Sequence, residues 1–162
     1  LESLGNREQV TGNFLSSAYR LFPIPCSLLL KNFFMKKKII VLGCALAAIS
    51  VILGAFGAHS LKAKLTESGL DVFKTAVQYQ MYHAIAILFV AQWINELGER
   101  RARLIAQLFA IGIILFSGSL YIFTIEEVFN ISRTSLIGIV TPIGGVFFIS
   151  AWVYACVSML KR

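Results

Sequence analysis

Charge is what this chain has least of. Asp, Glu, Lys and Arg make up 14% of its 162 residues, against about 25% in an ordinary soluble domain. No carboxylate falls inside any of its long apolar runs, so a proton pump built on membrane-embedded carboxylates has no footing. Cysteine is also scarce. Cys26, Cys44 and Cys156 are odd in number and lack paired spacing, which argues against a disulfide framework or a zinc site. Cys44 and Cys156 lie in apolar runs and read as small, soft packing residues. There is no Ser-His-Asp set, no phosphate-binding glycine loop and no nucleophile beside a base. The usual constellations of an active site are therefore missing. No enzyme, catalytic residue, cofactor or metal is expected, and an enzyme acting on lipid or quinone has no residues behind it. The net charge of +7 is broken into short clusters rather than gathered into the basic stripe that nucleic acid requires.

What the chain does have is apolar length. It is 57% hydrophobic, with a mean hydropathy of +0.77. Four runs, about 39–58, 75–95, 104–125 and 136–160, each reach the roughly 20 residues that cross a bilayer as a helix. They must be helical, because lipid offers no partner to a free backbone amide, and they lack the alternation of a β-barrel. The expected fold is all-α: an integral membrane four-helix antiparallel bundle with short loops. Lys36, Lys37, Lys38, Arg100, Arg101, Arg103, Lys161 and Arg162 flank the runs on one side, against Lys62, Lys64, Lys74 and Arg133 on the other. Positive-inside bias then puts both termini in the cytoplasm of a multi-pass protein.

Residues 1–34 read differently. They are polar at first, then apolar but interrupted by Arg20, Pro23, Pro25 and Lys31. "MKKKIIVLGCALAAIS" at Met35 has the form of a bacterial membrane-protein start, so residues 1–34 are expected to be a non-native or disordered extension. The alternative is an interfacial amphipathic segment. The membrane domain is expected to be 35–162. "VLGC" resembles a lipoprotein cleavage box, but only four apolar residues precede its small-residue pair, and a signal needs about 7–15. The first run is accordingly read as a retained signal anchor.

Small residues suggest how the helices meet. Gly43, Ala47, Ser50, Gly54 and Ala58 recur along one face of the first run, and Gly138, Thr141, Gly145, Phe148 and Trp152 along one face of the fourth. Such strips let backbones approach closely in lipid. Pro142 removes the amide that would bond the Gly138 carbonyl, which predicts a kink or a re-satisfied gap. "TPIGG" also allows a discontinuous, transporter-type helix. The second run carries a polar stretch, "TAVQYQMYHA". Thr75, Gln78, Tyr79 and Tyr82 share a face with His83 on its flank. That face is expected to point inward, toward the first run and the "SGSLY" of the third.

His83 has two readings. It relays protons or lines a solute path, or it is a neutral histidine with both nitrogens satisfied. Replacing His83 with Gln or Asn keeps hydrogen bonding, abolishes titration and so separates the two. His59 either caps the negative end of the first helix or folds back to the Gln78–Tyr79 end of the second. The two histidines do not make a metal pair, because His83 lies ~12 Å deeper by helix rise.

"GAFGAH", "FKTAVQYQMYHAIAIL", "FSGSLY" and "TPIGGVFFISAW" occur in that order. As an ordered set they resemble the bacterial YgdD-like inner-membrane proteins, the domain of unknown function 423 family, also called uncharacterised protein family 0382. The likeness runs from about Met35 to Arg162 and has no counterpart for the segment before it. It implies a small four-span protein of the bacterial cytoplasmic (inner) membrane with no established activity. It also implies that His59, Gln78, Tyr79, Gln80, His83, Tyr121, Thr141 and Pro142 gather in space. The leading expectation is a non-enzymatic protein that packs within the lipid bilayer and acts through a membrane-protein partner or as a homo-oligomer. The alternative is a small-solute or proton-linked transporter with its polar site around His83.

Overall fold

A computed structural model describes residues 26–131 and 137–161. The chain divides into two units, Leu1–Phe33 and Phe34–Arg162. Of the first, only residues 26–33 are described, as helical backbone. The expected start at Met35 falls within the first helix, and residues 1–25 lie outside the described residues.

Helix α1 (Cys26–Phe56) continues into a π-helical turn, Gly57–Leu61. Helix α2 (Glu67–Gln92) is followed by a single turn, α3 (Ile94–Leu97), and then by α4 (Glu99–Val128) and α5 (Ile137–Leu160). Among the described residues there is no strand. Helix α4 overruns its apolar run by several residues at each end and α2 overruns its run at the start, whereas α5 coincides with its run to within a residue. Hydropathy registers only the part in hydrocarbon, whereas the backbone ladder continues into the interface.

Three helical stretches, Phe34–Leu61, Glu99–Val128 and Ile137–Leu160, are long and apolar enough to cross a membrane. The second expected span differs. Helix α2 has the length, at 26 residues, but it is not among the helices that meet the apolar requirement. Gln78, Gln80 and His83 lie in its middle and dilute its hydropathy.

Local signals place the breaks. Thr66 caps α2, its hydroxyl accepting from the Gly69 amide at 3.1 Å. Gly98, with φ at 78°, turns the chain from α3 into α4, a conformation that costs glycine nothing. The helices pack antiparallel in a consistent register. Along α1 and α2, Leu46 meets Gln80 and Ser50 meets Val77. Along α4 and α5, Phe109 meets Trp152, Gly112 meets Phe148, Phe116 meets Gly144 and Ser119 meets Thr141.

The apolar core occupies the half of the bundle nearer α3. Ile87, Val90, Ile94, Ile105, Phe109, Phe148 and Ala151 form its centre. The outer surface is equally apolar: Ile52, Ile85, Ile114, Ile139, Val146 and Ile149 are all exposed. Branched aliphatics pointing outward over serine, glutamine and histidine pointing inward is an arrangement suited to lipid as solvent.

Candidate functional site

The buried stripe of α2 is Phe73, Ala76, Gln80, His83, Ile87 and Val90, which recur every three or four residues. This corrects the inward face read from the sequence. Gln78, Tyr79 and Tyr82 are exposed, the tyrosines by 39% and 59%, and Thr75 is half-buried. Thr75 satisfies its hydroxyl locally, donating to the Asp71 carbonyl at 2.8 Å. Tyrosine carries a large apolar ring that lipid accepts, so polarity alone does not turn it inward. The alanines of the stripe admit a neighbouring helix, and that decides which face is buried.

Gln80 is the hub of the polar core. Only 3% exposed, its Nε2 donates to the Leu46 carbonyl of α1 at 2.9 Å, and its Oε1 accepts from the Tyr121 hydroxyl of α4 at 3.0 Å. Beside it, Ser50 Oγ donates to the Val77 carbonyl at 2.8 Å. One amide side chain therefore ties three helices together. Gly43 lets α1 and α2 approach, since a Cβ there would stand 2.7 Å from Leu88 Cδ2 and 3.2 Å from the Ala84 carbonyl oxygen.

His83 lies in an aromatic box. The residue is 7% exposed, and its ring stacks on Phe148 with centroids 3.5 Å apart and planes 6° apart. Phe109 and Trp152 stand at 5.6 and 6.5 Å. Its Nδ1 lies 2.7 Å from the Tyr79 carbonyl oxygen one turn earlier. A carbonyl only accepts, so the Nδ1 proton is committed to the backbone, and a neutral ring then keeps Nε2 as an acceptor. Tyr79 itself stacks on Phe116 at 4.5 Å.

A second polar contact joins α4 and α5. Ser119 Oγ and Thr141 Oγ1 are 2.7 Å apart. Each also reaches a carbonyl of its own helix, Phe116 at 2.8 Å and Ile137 at 3.0 Å. Two hydroxyl protons serve three short contacts, so only two of the three are hydrogen bonds at any one time.

The sequence-predicted cluster is thus only partly assembled. Gln80 and Tyr121 meet, and Tyr79 and His83 adjoin. Thr141 pairs instead with Ser119. Gln78 faces a groove at the π-helical-turn end, together with Gly54, Ala58, Lys62 and Lys74. His59 is exposed in the π-helical turn, and no hydrogen bond links it to Gln78 or Tyr79 among the described residues. Pro142 is exposed, and α5 runs unbroken through it. The carbonyl that Pro142 leaves unbonded belongs to Gly138, in the first turn of α5, and the helix is continuous there, so the discontinuous-helix reading has no counterpart in the described residues.

The packing glycines also need correcting. Gly43 and Gly54 meet α2, and Ala47 is half-buried between them. On α5 the contacting glycine is Gly144, whereas a Cβ at Gly138 or Gly145 would meet nothing within 4 Å.

One contact between helix ends carries no sequence signal. Glu127, at the end of α4, accepts through Oε1 from the Thr66 amide at 2.8 Å and the Thr66 hydroxyl at 2.7 Å. Its carboxylate thus sits over the positive end of α2, an arrangement worth about 0.3–1 kcal/mol at a surface. Gly69 makes room for it. The pairing spans 61 positions, so no local spacing announces it. Among the described residues no three His, Cys, Asp or Glu side chains group as metal ligands would.

Comparison with known proteins places this geometry. A family model described as a protein of unknown function, DUF423, matches residues 53–145, from the end of α1 to the Gly144–Gly145 pair. The chain is 41% identical to the UPF0382 membrane protein YwdK of Bacillus subtilis over 126 residues, covering 77% of this chain and 98% of that protein. It is 39% identical to a UPF0382 membrane protein of Haemophilus influenzae over 120 residues, 74% of this chain and 90% of the relative. For the UPF0382 membrane protein SH2409 of Staphylococcus haemolyticus the identity is 35% over 125 residues, 77% and 97% of the two chains. No solved structure matches it.

Proposed function

Because the chain belongs to the DUF423 family, whose relatives are named UPF0382 membrane proteins, we propose that it is a four-span protein of the bacterial cytoplasmic membrane that works by helix association rather than by catalysis. In this reading both ends of the bundle domain are cytoplasmic, on the strength of the charge bias. Helix α2 is the fourth span despite its polarity. Its contacts with α1 run from Gly43 to Gly54, so it lies alongside the most apolar helix at the same depth.

The observation that carries the proposal is the open face of α5. Gly138, Pro142, Ile149 and Trp152 are exposed, and Gly145 is half-exposed. Both glycines have free space where a side chain would stand. A small-residue strip turned away from its own bundle suits close approach by a helix of a second copy. Meanwhile Gln80, Ser50 and the Ser119–Thr141 pair are engaged in bonds between helices, and His83 Nδ1 is bonded within α2. Neither His83 nor Gln80 lines the four best-formed cavities, which measure about 220–390 Å³. This favours association over the transporter reading, which needs water to reach His83.

The test is single-molecule photobleaching of labelled protein in bilayers of bacterial lipid. The wild-type chain is expected to bleach in more than one step. Gly138→Leu with Gly145→Leu is expected to bleach in one, with its helical content retained, because a Cβ at either position stands in open space. Single-step bleaching of the wild-type protein would contradict the proposal.

A further inference from the structure

The two ends of the bundle differ in charge. Near the end formed by α3 lie Lys36, Lys37, Lys38, Arg100, Arg101 and Arg103, with Glu96 and Glu99 as the acidic residues there among the described residues. At the opposite end Lys62, Lys64 and Lys74 are offset by Glu67, Asp71, Glu126 and Glu127.

At the basic end a groove of about 390 Å³ opens between α1 and α4. Lys38 and Arg103 stand at its mouth, with Ile39, Leu42, Ala106 and Gln107 along its length. Leu42 lies one turn deeper than Lys38, and Gln107 one turn deeper than Arg103, about 6 Å along each axis. Among the described residues neither Lys38 nor Arg103 forms an ion pair. The groove thus presents two cations with no counter-ion among the described residues, and a mainly apolar channel leading inward. A phospholipid is graded in the same way, with its phosphate at the interface and its acyl chain below.

We propose that this groove is a binding site for an anionic phospholipid. The lipid phosphate lies between Lys38 and Arg103. The amide of Gln107 is placed to donate to the glycerol ester oxygens, and one acyl chain runs along Leu42 and Ala106. Basic pockets between spanning helices on the cytoplasmic side recognise acidic headgroups by this combination of charge and depth. The site rests on the membrane placement of the chain and not on its self-association, since a monomer carries the whole groove.

Native mass spectrometry of the full chain tests this. The protein is released from mild detergent containing equal phosphatidylglycerol and phosphatidylcholine of matched chain length. The wild-type chain is expected to retain phosphatidylglycerol preferentially. Lys38→Gln with Arg103→Gln is expected to lower that preference roughly tenfold or more. Lys62→Gln with Lys64→Gln, at the other end, is expected to leave it unchanged. Equal retention of the two lipids by the wild-type protein would overturn the proposal. So would an undiminished preference in the Lys38/Arg103 variant, or an equal loss in the Lys62/Lys64 variant.

Discussion

Replacing Gly144 with alanine is expected to destabilise the bundle by about 3 kcal/mol or more, the upper end of the range for overpacking a close contact. A Cβ at that position would stand 2.4 Å from the backbone nitrogen of Phe116 and 2.8 Å from its Cα. Backbone atoms of a helix cannot swing aside as a side-chain tip can, so α4 and α5 must separate. Separation strains the neighbouring contacts on both sides: the Phe148 ring over Gly112 and the Ser119–Thr141 hydroxyl pair. It also unseats Phe148 from His83. Gly145→Ala is the matched control. It adds the same methyl where nothing lies within 4 Å, and helix propensity alone favours alanine over glycine by about 1 kcal/mol. It is expected to be neutral or slightly stabilising. Reversible unfolding in bicelles with increasing SDS measures both variants. Equal effects would mean that α4 and α5 do not meet at Gly144.

Gln80→Leu is expected to cost about 2 kcal/mol, the scale of leaving a buried donor unpaired. The substitution keeps most of the side-chain volume and removes both bonds. Leu46 lies within α1, where its carbonyl has a helical partner, so little is lost there. The Tyr121 hydroxyl loses its acceptor, and the cost arises at that group. Tyr121→Phe alone leaves Gln80 Oε1 without a donor. The double variant removes both ends of the bond and is expected to be milder than the sum of the single changes. The coupling expected from the cycle is about 0.6 kcal/mol, the average for interhelical bonds in membranes, and at most about 1.7 kcal/mol. Additivity within about 0.3 kcal/mol would show that the two side chains are independent.

The helices were legible in the sequence because hydrocarbon leaves the backbone no alternative, and four uncharged runs of spanning length declare themselves. Their ends were less legible. Hydropathy fades at the interface, whereas α4 continues beyond its apolar run from Gly98 to Phe129. The facing of α2 was misread for a specific reason. Polarity put Gln78, Tyr79 and Tyr82 inward, but the buried stripe follows the alanines and Phe73, and tyrosine tolerates lipid. The Gly144–Gly145 pair shows a limit of sequence reading. The two residues are about 100° apart on the helix, from its 3.6-residue turn, and which one meets α4 depends on a rotation that no local spacing encodes. Glu127 over Thr66 lies beyond sequence reading altogether, since it depends on α4 ending beside the start of α2. The resemblance of four ordered motifs identified the family, but the residues within those motifs serve three contacts: Gln80 with Tyr121, His83 with Phe148, and Ser119 with Thr141.

The account turns on α2 crossing the bilayer with its polar side chains turned against α1 and α4. Cysteine accessibility measures this directly. In a background with Cys26, Cys44 and Cys156 replaced by serine, Lys64→Cys and Glu96→Cys place single thiols just beyond the two ends of α2. A membrane-impermeant maleimide applied to intact spheroplasts is predicted to label Lys64→Cys and to reach Glu96→Cys only after lysis. Labelling of both positions from the same side would contradict the account.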